Sequence, residues 1–403
     1  MSKMKNIVFV CGTFNKDGGK ASSIGQQLYL GFMSNMLNPN LRQYDCFFMN
    51  GGSLADLELA AHKAMSAHAV VWLANVPNEQ PKNCVKAIKV VNQRCVLVTS
   101  KRSVEKQYSL PAVVQHALGL HANLVIMFEP FHDLGGSDKK HYRATLLDPL
   151  GNQYYQATHH AEYLALGAVL NLRVGYLLDL RRVGTTKAIG SCPEGQPDEP
   201  EFLDLVHRSA ERFAQLIPSP EPVSRFVGNA AFRCTHGFPA VRSIASANTF
   251  YVSRRNVDKA IAKLSDFVPV IDETSEGNLL YCGDFKPSVD APIQAKLFQL
   301  YPNIRYMLHG HVYLSLVPHT DTVLPCGALL EVDEVWRHYA DHDCNAFALN
   351  LRGHGFLAGA RTVARLEELV APARMKARPM PEDQSEWSRR MLVTQPPVDT
   401  TED

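Results

Sequence analysis

The 403-residue sequence has no apolar run close to the ~20 residues that a membrane-spanning helix needs, so no spanning segment is expected. It also has almost no net charge. Its 41 basic and 40 acidic residues leave +1, which gives no electrostatic ground for a nucleic-acid or membrane-surface partner. None of its nine cysteines forms a Cys-x-x-Cys pair. In a chain this long that reads as reduced thiols of a cytoplasmic protein, used mainly as small core residues, rather than as a disulfide framework. The start, Met1 to Lys5, is basic, but the apolar stretch Asn6 to Val10 is too short for a secretory signal. There is no repeat of fixed period. Neither Gly-x-Gly-x-x-Gly nor a Gly-Lys-Ser/Thr phosphate loop occurs, so the two strongest nucleotide fingerprints are missing.

What is present is enough apolar sequence, 46%, for an ordinary core, over a length that suggests two or three domains at ~150 residues each. The first half reads as short β-branched runs alternating with helical segments. The runs are 6–11 (NIVFVC), 44–49 (YDCFFM), 69–74 (AVVWLA), 95–99 (CVLVT) and 123–128 (NLVIMF), with helical patterns at 24–36, 54–67, 82–91 and 111–118. That alternation predicts α/β architecture with a doubly wound, Rossmann-like parallel sheet over residues 1–195. Strands apolar throughout are those buried on both faces. Residues 154–178 read as the closing helix. The segment 184–201, dense in Gly, Pro, Thr and Asp, reads as a linker. Residues 202–216 form an amphipathic helix. The Pro- and charge-rich stretch 376–403 is expected to be disordered.

In such a sheet the turn after the first strand is where phosphates bind, because a helix N-terminus presents backbone N–H groups. Gly12, Thr13, Gly18, Gly19, Ser22 and Ser23 occupy that turn. They are nucleotide-binding candidates, and equally the makings of a tight turn.

The densest chemistry lies further on. A strand-like run, Ile304 to Leu308, leads into His309-Gly310-His311. Side chains at i and i+2 of extended backbone point to one side, so both imidazoles can reach one cation at ~2.0–2.1 Å. A second strand-like run, Ala346 to Asn350, enters Arg352-Gly353-His354-Gly355, a third imidazole on a glycine-flanked turn. Three neutral histidines leave coordination positions open, as a catalytic metal site requires. A chain with 16 histidines also produces His-x-His by chance.

The order of motifs in this half resembles the class II aldolase/adducin head family. Gly228-Asn229 with Ala230-Ala231-Phe232-Arg233 is similar to its Gly-Asn-x-Ser-x-Arg segment, and Phe250 to Val270 to its strand, turn and threshold helix. Lys286-Pro287-Ser288-Val289-Asp290 is similar to its Pro-Ser-Ser-Glu. Leu308 to His311 matches its paired-His strand end. Leu324-Pro325-Cys326 matches Ile-Pro-Cys, and Leu351 to Gly355 matches its Arg-Asn-His-Gly turn, with a helix following at 362–370. The resemblance spans about 150 residues and implies a class II aldolase-like αβα domain over residues 205–375. It further implies zinc or another divalent cation on His309, His311 and His354, with Asp290 as the acid/base. Asn229, Ser288, Ser253 and Arg254 would contact the substrate. The implied activity is lyase or epimerase chemistry on a small hydroxy-carbonyl compound, a sugar phosphate in the family, in a homo-oligomer that is commonly a tetramer. Adducin heads imply the alternative of a non-catalytic assembly module.

Two departures bear on the chemistry. Asp290 stands where the family has glutamate, one methylene longer. Val252-Ser253-Arg254-Arg255 replaces the Thr-Pro-Ser-Gly phosphate loop, so that phosphate would bind bidentately to arginine or not at all. Asp290 also precedes Ala291-Pro292, which suits a helix N-cap. The first half is similar in layout to the nucleotide-binding domain of phosphopantothenoylcysteine synthetase and its flavoprotein relatives, with Asn75 after the third strand and Lys101 after the fourth. This implies a nucleotide ligand.

Overall fold

The computed structural model describes residues 5–34, 41–76, 82–102, 109–131, 141–182, 186–190, 198–217, 228–233, 249–275 and 277–393. Residues 184–185 and 191–197, half of the expected linker, and residues 394–403 of the tail lie outside these; the described half of the linker holds a strand, Thr186–Ala188, and a helix start at Pro200. The chain divides into two units: residues 1–179 with 380–403, and residues 180–379.

In the first unit β1 (Lys5–Asn15), β2 (Tyr44–Ser53), β3 (Ala69–Trp72), β4 (Val96–Arg102) and β5 (Leu124–Phe131) are parallel and lie in the order β2-β1-β3-β4-β5. Between them run α1 (Ser23–Ser34), α2 (Leu54–Ala64), α3 (Lys82–Val91) and α4 (Leu110–Gly119). Ile7, Val8, Phe9 and Val10 are fully buried. This is the expected signature of strands covered on both faces. Ser53 starts α2 with a reciprocal capping box to Asp56.

Beyond β5 the sheet turns antiparallel through β6 (His141–Leu147) and β7 (Asn152–Ala157), and α5 (His160–Arg182) follows. The hairpin corrects the expected helix over 154–178. Tyr154 to Ala157 belong to β7, where Tyr154 packs fully buried, and helix begins at His160. A second correction concerns apolar length. The stretch from His160 to Arg181 is long and apolar enough to cross a membrane by composition, but 67% of that window is buried inside the protein. A third concerns the tail. Glu382–Asp383 adds a strand to β7, and Ser385–Val393 is a helix whose Trp387 is buried. The Trp387 ring receives the buried Arg173 guanidinium at 5.7 Å. Strand pairing and a buried aromatic thus hold a segment whose composition reads as disordered.

The second unit is an eight-stranded sheet. Its strands are β8 (Thr186–Ala188), β9 (Asn229–Arg233), β10 (Phe250–Ser253), β11 (Phe267–Glu273), β12 (Leu279–Tyr281), β13 (Tyr306–Gly310), β15 (Ala346–Leu351) and β16 (Gly355–Ala360). They run in the order β15-β16-β13-β9-β10-β11-β12-β8, antiparallel except for β12 with β8. A separate pair joins β14 (Tyr313–Leu314) to β17 (Met375–Lys376).

One face of the large sheet is covered by α6 (Pro200–Leu216) and α9 (Val363–Leu369), through Phe202, Phe213 and Leu366 against Phe232, Leu308 and Phe356. The other is covered by α7 (Ala291–Leu300) and α8 (Leu330–His338), through Leu297, Phe298 and Val335 against Met307, Phe347 and Leu349. The unit is therefore an αβα sandwich, as expected. Among the described residues no α-helix fills 254–266: turns and the short 3-10 segment Leu264–Asp266 stand where the threshold helix was expected.

Candidate metal centre

Sheet pairing closes the 45-residue gap between the histidines. β13 ends at His309-Gly310 and pairs with β16, setting Gly310 opposite Phe356. β16 returns to β15 through the turn Arg352-Gly353-His354, with Leu351 opposite Gly355. The turn therefore delivers His354 to the end of β13. Glycine is needed where the strands crowd: a Cβ on Gly355 would lie 2.1 Å from the Gly310 carbonyl oxygen. Gly353 has φ +74°, a left-handed conformation that other residues adopt at a cost.

The ligating atoms of His309, His311 and His354 lie within 4.8 Å of one another. Ring centroids are 4.5 Å apart for His309 and His354, 5.1 Å for His309 and His311, and 5.0 Å for His311 and His354. Each buried ring is oriented by its far nitrogen. His309 Nδ1 donates to the Phe356 carbonyl oxygen at 2.7 Å. Nδ1 of His354 lies 3.0 Å from Glu331 Oε1, and both residues are buried. Those contacts turn Nδ1 of each ring away from the other histidines, so Nε2 is the atom that could ligate a cation.

Nε2 of His309 is buried with no hydrogen-bond partner. A buried polar atom left unpaired costs ~1–3 kcal/mol, and an imidazole lone pair facing two more imidazoles is a poor hydrogen-bond site but a good one for a cation. The donor set fits a borderline-soft divalent ion of the zinc type.

Electrostatics favour the neutral form of His309 and His311. Burial, reinforced by His354, pulls His309 down to about 4. Burial and the neighbouring histidines hold the half-buried His311 well below the ordinary value. Burial pushes the Glu331 carboxyl well up, with the Asp290 charge adding to it. Neutral imidazoles are the form that ligates.

Asp290 precedes α7 but makes no side-chain cap, so its carboxylate is spent elsewhere. Oδ2 accepts from Asn229 Nδ2 at 2.6 Å, and Oδ1 faces the Cys326 thiol at 3.6 Å. Asn229 sits opposite His309 across β9 and β13. A cavity is lined by Asn229, Asp290, Gln294, His309, Glu331 and His354, with Leu and Ile walls.

The other sequence candidates are placed as follows. Ser253 is fully buried and its Oγ accepts from Ala230 N at 3.2 Å, tying β10 to β9. Ser288 N donates to the Ser253 carbonyl oxygen at 3.1 Å. Arg254 is bound to Asp266 (Nε to Oδ1, 2.8 Å) and lies over the Phe285 ring at 4.2 Å. Its guanidinium already has a carboxylate partner.

Three residues of the site carry no signal in the sequence. Glu331 and Gln294 lie on helices of ordinary amphipathic pattern. Lys259 is a buried lysine that burial lowers to about 8, with the Asp290 charge partly restoring it.

In the first unit the turn after β1 is bound largely to the chain itself. Thr13 N donates to Lys20 O at 2.9 Å, Gly19 N to Gly52 O at 2.7 Å, Lys20 N to Thr13 Oγ1 at 2.7 Å and Ser22 N to Asn50 Oδ1 at 2.7 Å. Gly25 N donates to Ser22 Oγ at 3.0 Å, so Ser22 caps α1. A Cβ on Gly12 would lie 2.5 Å from Gly51 N, and one on Gly19 1.7 Å from Thr13 O. Gly12 and Gly19 thus serve close backbone packing. Gly18 and Ser23 are exposed.

No family model matches the chain, and no curated protein matches it. Among solved structures it is similar to an L-fuculose 1-phosphate aldolase, with 13% identity, 49% of this chain and 87% of that chain covered, and a TM-score of 0.31. It is similar to the DNA/pantothenate metabolism flavoprotein from Streptococcus pneumoniae, with 9% identity, 43% and 99% covered, and a TM-score of 0.29. It is also similar to the N-terminal class II aldolase domain of a conserved protein from Thermoplasma acidophilum, with 15% identity, 45% and 95% covered, and a TM-score of 0.28. These neighbours are of the two kinds that the two halves of the sequence resemble.

Proposed function

We propose that the second unit is a metal-dependent lyase or epimerase of class II aldolase type, acting on a small hydroxy-carbonyl compound. The observation that carries this reading is the convergence of three imidazoles beside a buried carboxylate. His309, His311 and His354 would hold a divalent cation, which supplies Lewis acidity at a carbonyl oxygen when bound.

The chain's own groups do the rest. Asp290 stands ready to take a proton from the carbon next to that carbonyl, leaving the C–H electron pair to the carbonyl oxygen. Oδ2 is held by Asn229 at 2.6 Å and Oδ1 only by the Cys326 thiol at 3.6 Å, so Oδ1, the more loosely held oxygen, would carry the proton. The Leu and Ile walls of the cavity limit water around it. With Arg254 paired to Asp266, the reading does not require a phosphate on the substrate.

The first unit, in its β2-β1-β3-β4-β5 order, changes direction between β1 and β3, the place where doubly wound sheets take nucleotides. We assign any nucleotide of this chain to that crevice, with exposed Gly18 and Ser23 at its rim.

Elemental analysis of the purified full chain tests the metal reading. One divalent ion per chain is expected, and none in a His309→Ala/His354→Ala double variant. A wild-type chain that takes up no ion after reconstitution contradicts it and leaves the non-catalytic module.

A further inference from the structure

The orientation of one amide at this site follows from a chain of hydrogen-bond logic. An ionised carboxylate only accepts. Asp290 Oδ2 must therefore face the NH2 end of Asn229, and Nδ2 stands 2.6 Å away. The Asn229 carbonyl then points the other way and must receive a donor. Gln294, one turn along α7, gives it Nε2. The two amides are locked head to tail, and the last atom of the series, Gln294 Oε1, is left over.

That atom is buried without a hydrogen-bond partner, on a side chain that is 1% exposed and lines the same cavity as His309 and His354. Turning the Gln294 amide over would put two carbonyl oxygens face to face, so the leftover acceptor is a consequence of the Asp290–Asn229 hydrogen bond. An amide oxygen can only accept. The cavity thus shows two acceptor atoms that lack partners, and they differ in kind. His309 Nε2 suits a cation. Gln294 Oε1 suits a proton on oxygen.

We propose that Gln294 is a specificity-determining residue: its Oε1 accepts from a hydroxyl of the ligand held at the three-histidine centre, so the site selects α-hydroxy compounds over their deoxy counterparts. This rests on the metal reading above. It adds to it that the relay Asp290–Asn229–Gln294 both fixes the base and reads the substrate. A deoxy ligand leaves Oε1 buried and unpaired, and sites built to hydrogen-bond a hydroxyl reject analogues that lack it.

The test uses the full chain loaded with cobalt and follows the visible cobalt spectrum during titration with glycolate, acetate and methoxyacetate. Glycolate has the hydroxyl, acetate lacks it, and methoxyacetate keeps the oxygen without its proton. The wild-type chain is expected to bind glycolate at least about tenfold tighter than either of the others. Gln294→Met, of similar size and without an acceptor oxygen, is expected to reduce the glycolate-over-methoxyacetate ratio by about tenfold, the effect of one hydrogen bond to a buried group. An unchanged ratio in Gln294→Met overturns the inference while the metal reading stands. So does a wild-type chain that binds glycolate and methoxyacetate alike, or neither; this arm needs no variant to fold. Failure to take up cobalt at all is a different result and removes the metal reading itself.

Discussion

Glu331 Oε1 lies 3.0 Å from His354 Nδ1, with both side chains almost fully buried. A carboxyl oxygen that accepts from the far nitrogen of an imidazole orients the ring and presents the other nitrogen to a cation. Removing it is expected to weaken metal binding by about 10–100-fold. Chelator competition on Glu331→Ala and Glu331→Gln measures this. The Gln variant keeps an acceptor and is expected to lose less.

The pH response of the metal-free chain follows from burial of the histidines. His309 is held at about 4 against an ordinary 6.5, so the folded form binds fewer protons than the unfolded one between those values. Stability from this ring is complete above pH ~6.5, falls as pH drops toward 4, and is constant below that. The loss is on the order of 3 kcal/mol. Glu331 is shifted up and acts in the opposite sense. The effect is therefore expected to be clearest in denaturation of the metal-free Glu331→Gln variant at pH 7 and pH 4. Equal stability at both values contradicts the burial assignment.

Gly355→Ala is expected to disrupt the centre without touching a ligand. The added Cβ meets the Gly310 carbonyl at 2.1 Å, so β13 and β16 must separate at the point where they hold His309 and His354. A destabilisation of roughly 1–3 kcal/mol is expected from such overpacking, together with weaker zinc retention. Thermal unfolding and zinc content check the two effects separately.

Asp290→Asn is expected to separate metal binding from proton transfer. The amide keeps the shape of the carboxylate and cannot act as a base. Zinc content should stay at the wild-type level. Exchange of the hydroxymethyl protons of hydroxyacetone into D2O, followed by NMR, should fall by about 10²–10⁴-fold, the usual range for a positioned base. Undiminished exchange contradicts the role of Asp290.

The parallel strands of the first unit were legible because each is buried on both faces and therefore apolar without alternation, as in Ile7 to Val10. The β6–β7 hairpin was not. Asn152 to Ala157 carries polar residues on one side, and Tyr154 and Tyr155 lead directly toward an apolar helix, so a helical period covers both. The helix at 385–393 is tied down by long-range contacts that no local pattern encodes: Trp387 against Arg173, and the pairing of Glu382–Asp383 with β7 just before it.

At the site, His309, His311 and His354 stood out because strand ends and glycine turns restrict where a side chain points. Glu331 and Gln294 on helices and Lys259 on a turn did not, since a buried polar residue is recognisable only from what it faces. Arg254 reads in sequence as a cation free for phosphate, whereas in the fold Asp266 engages it.

X-ray absorption at the zinc edge of the reconstituted full chain tests the central claim most directly. The expected spectrum has three imidazole nitrogens at ~2.0–2.1 Å and lighter oxygen scatterers completing the shell. In His309→Ala one imidazole contribution should disappear. A spectrum with sulfur ligands, or with no imidazole multiple scattering, contradicts the three-histidine centre.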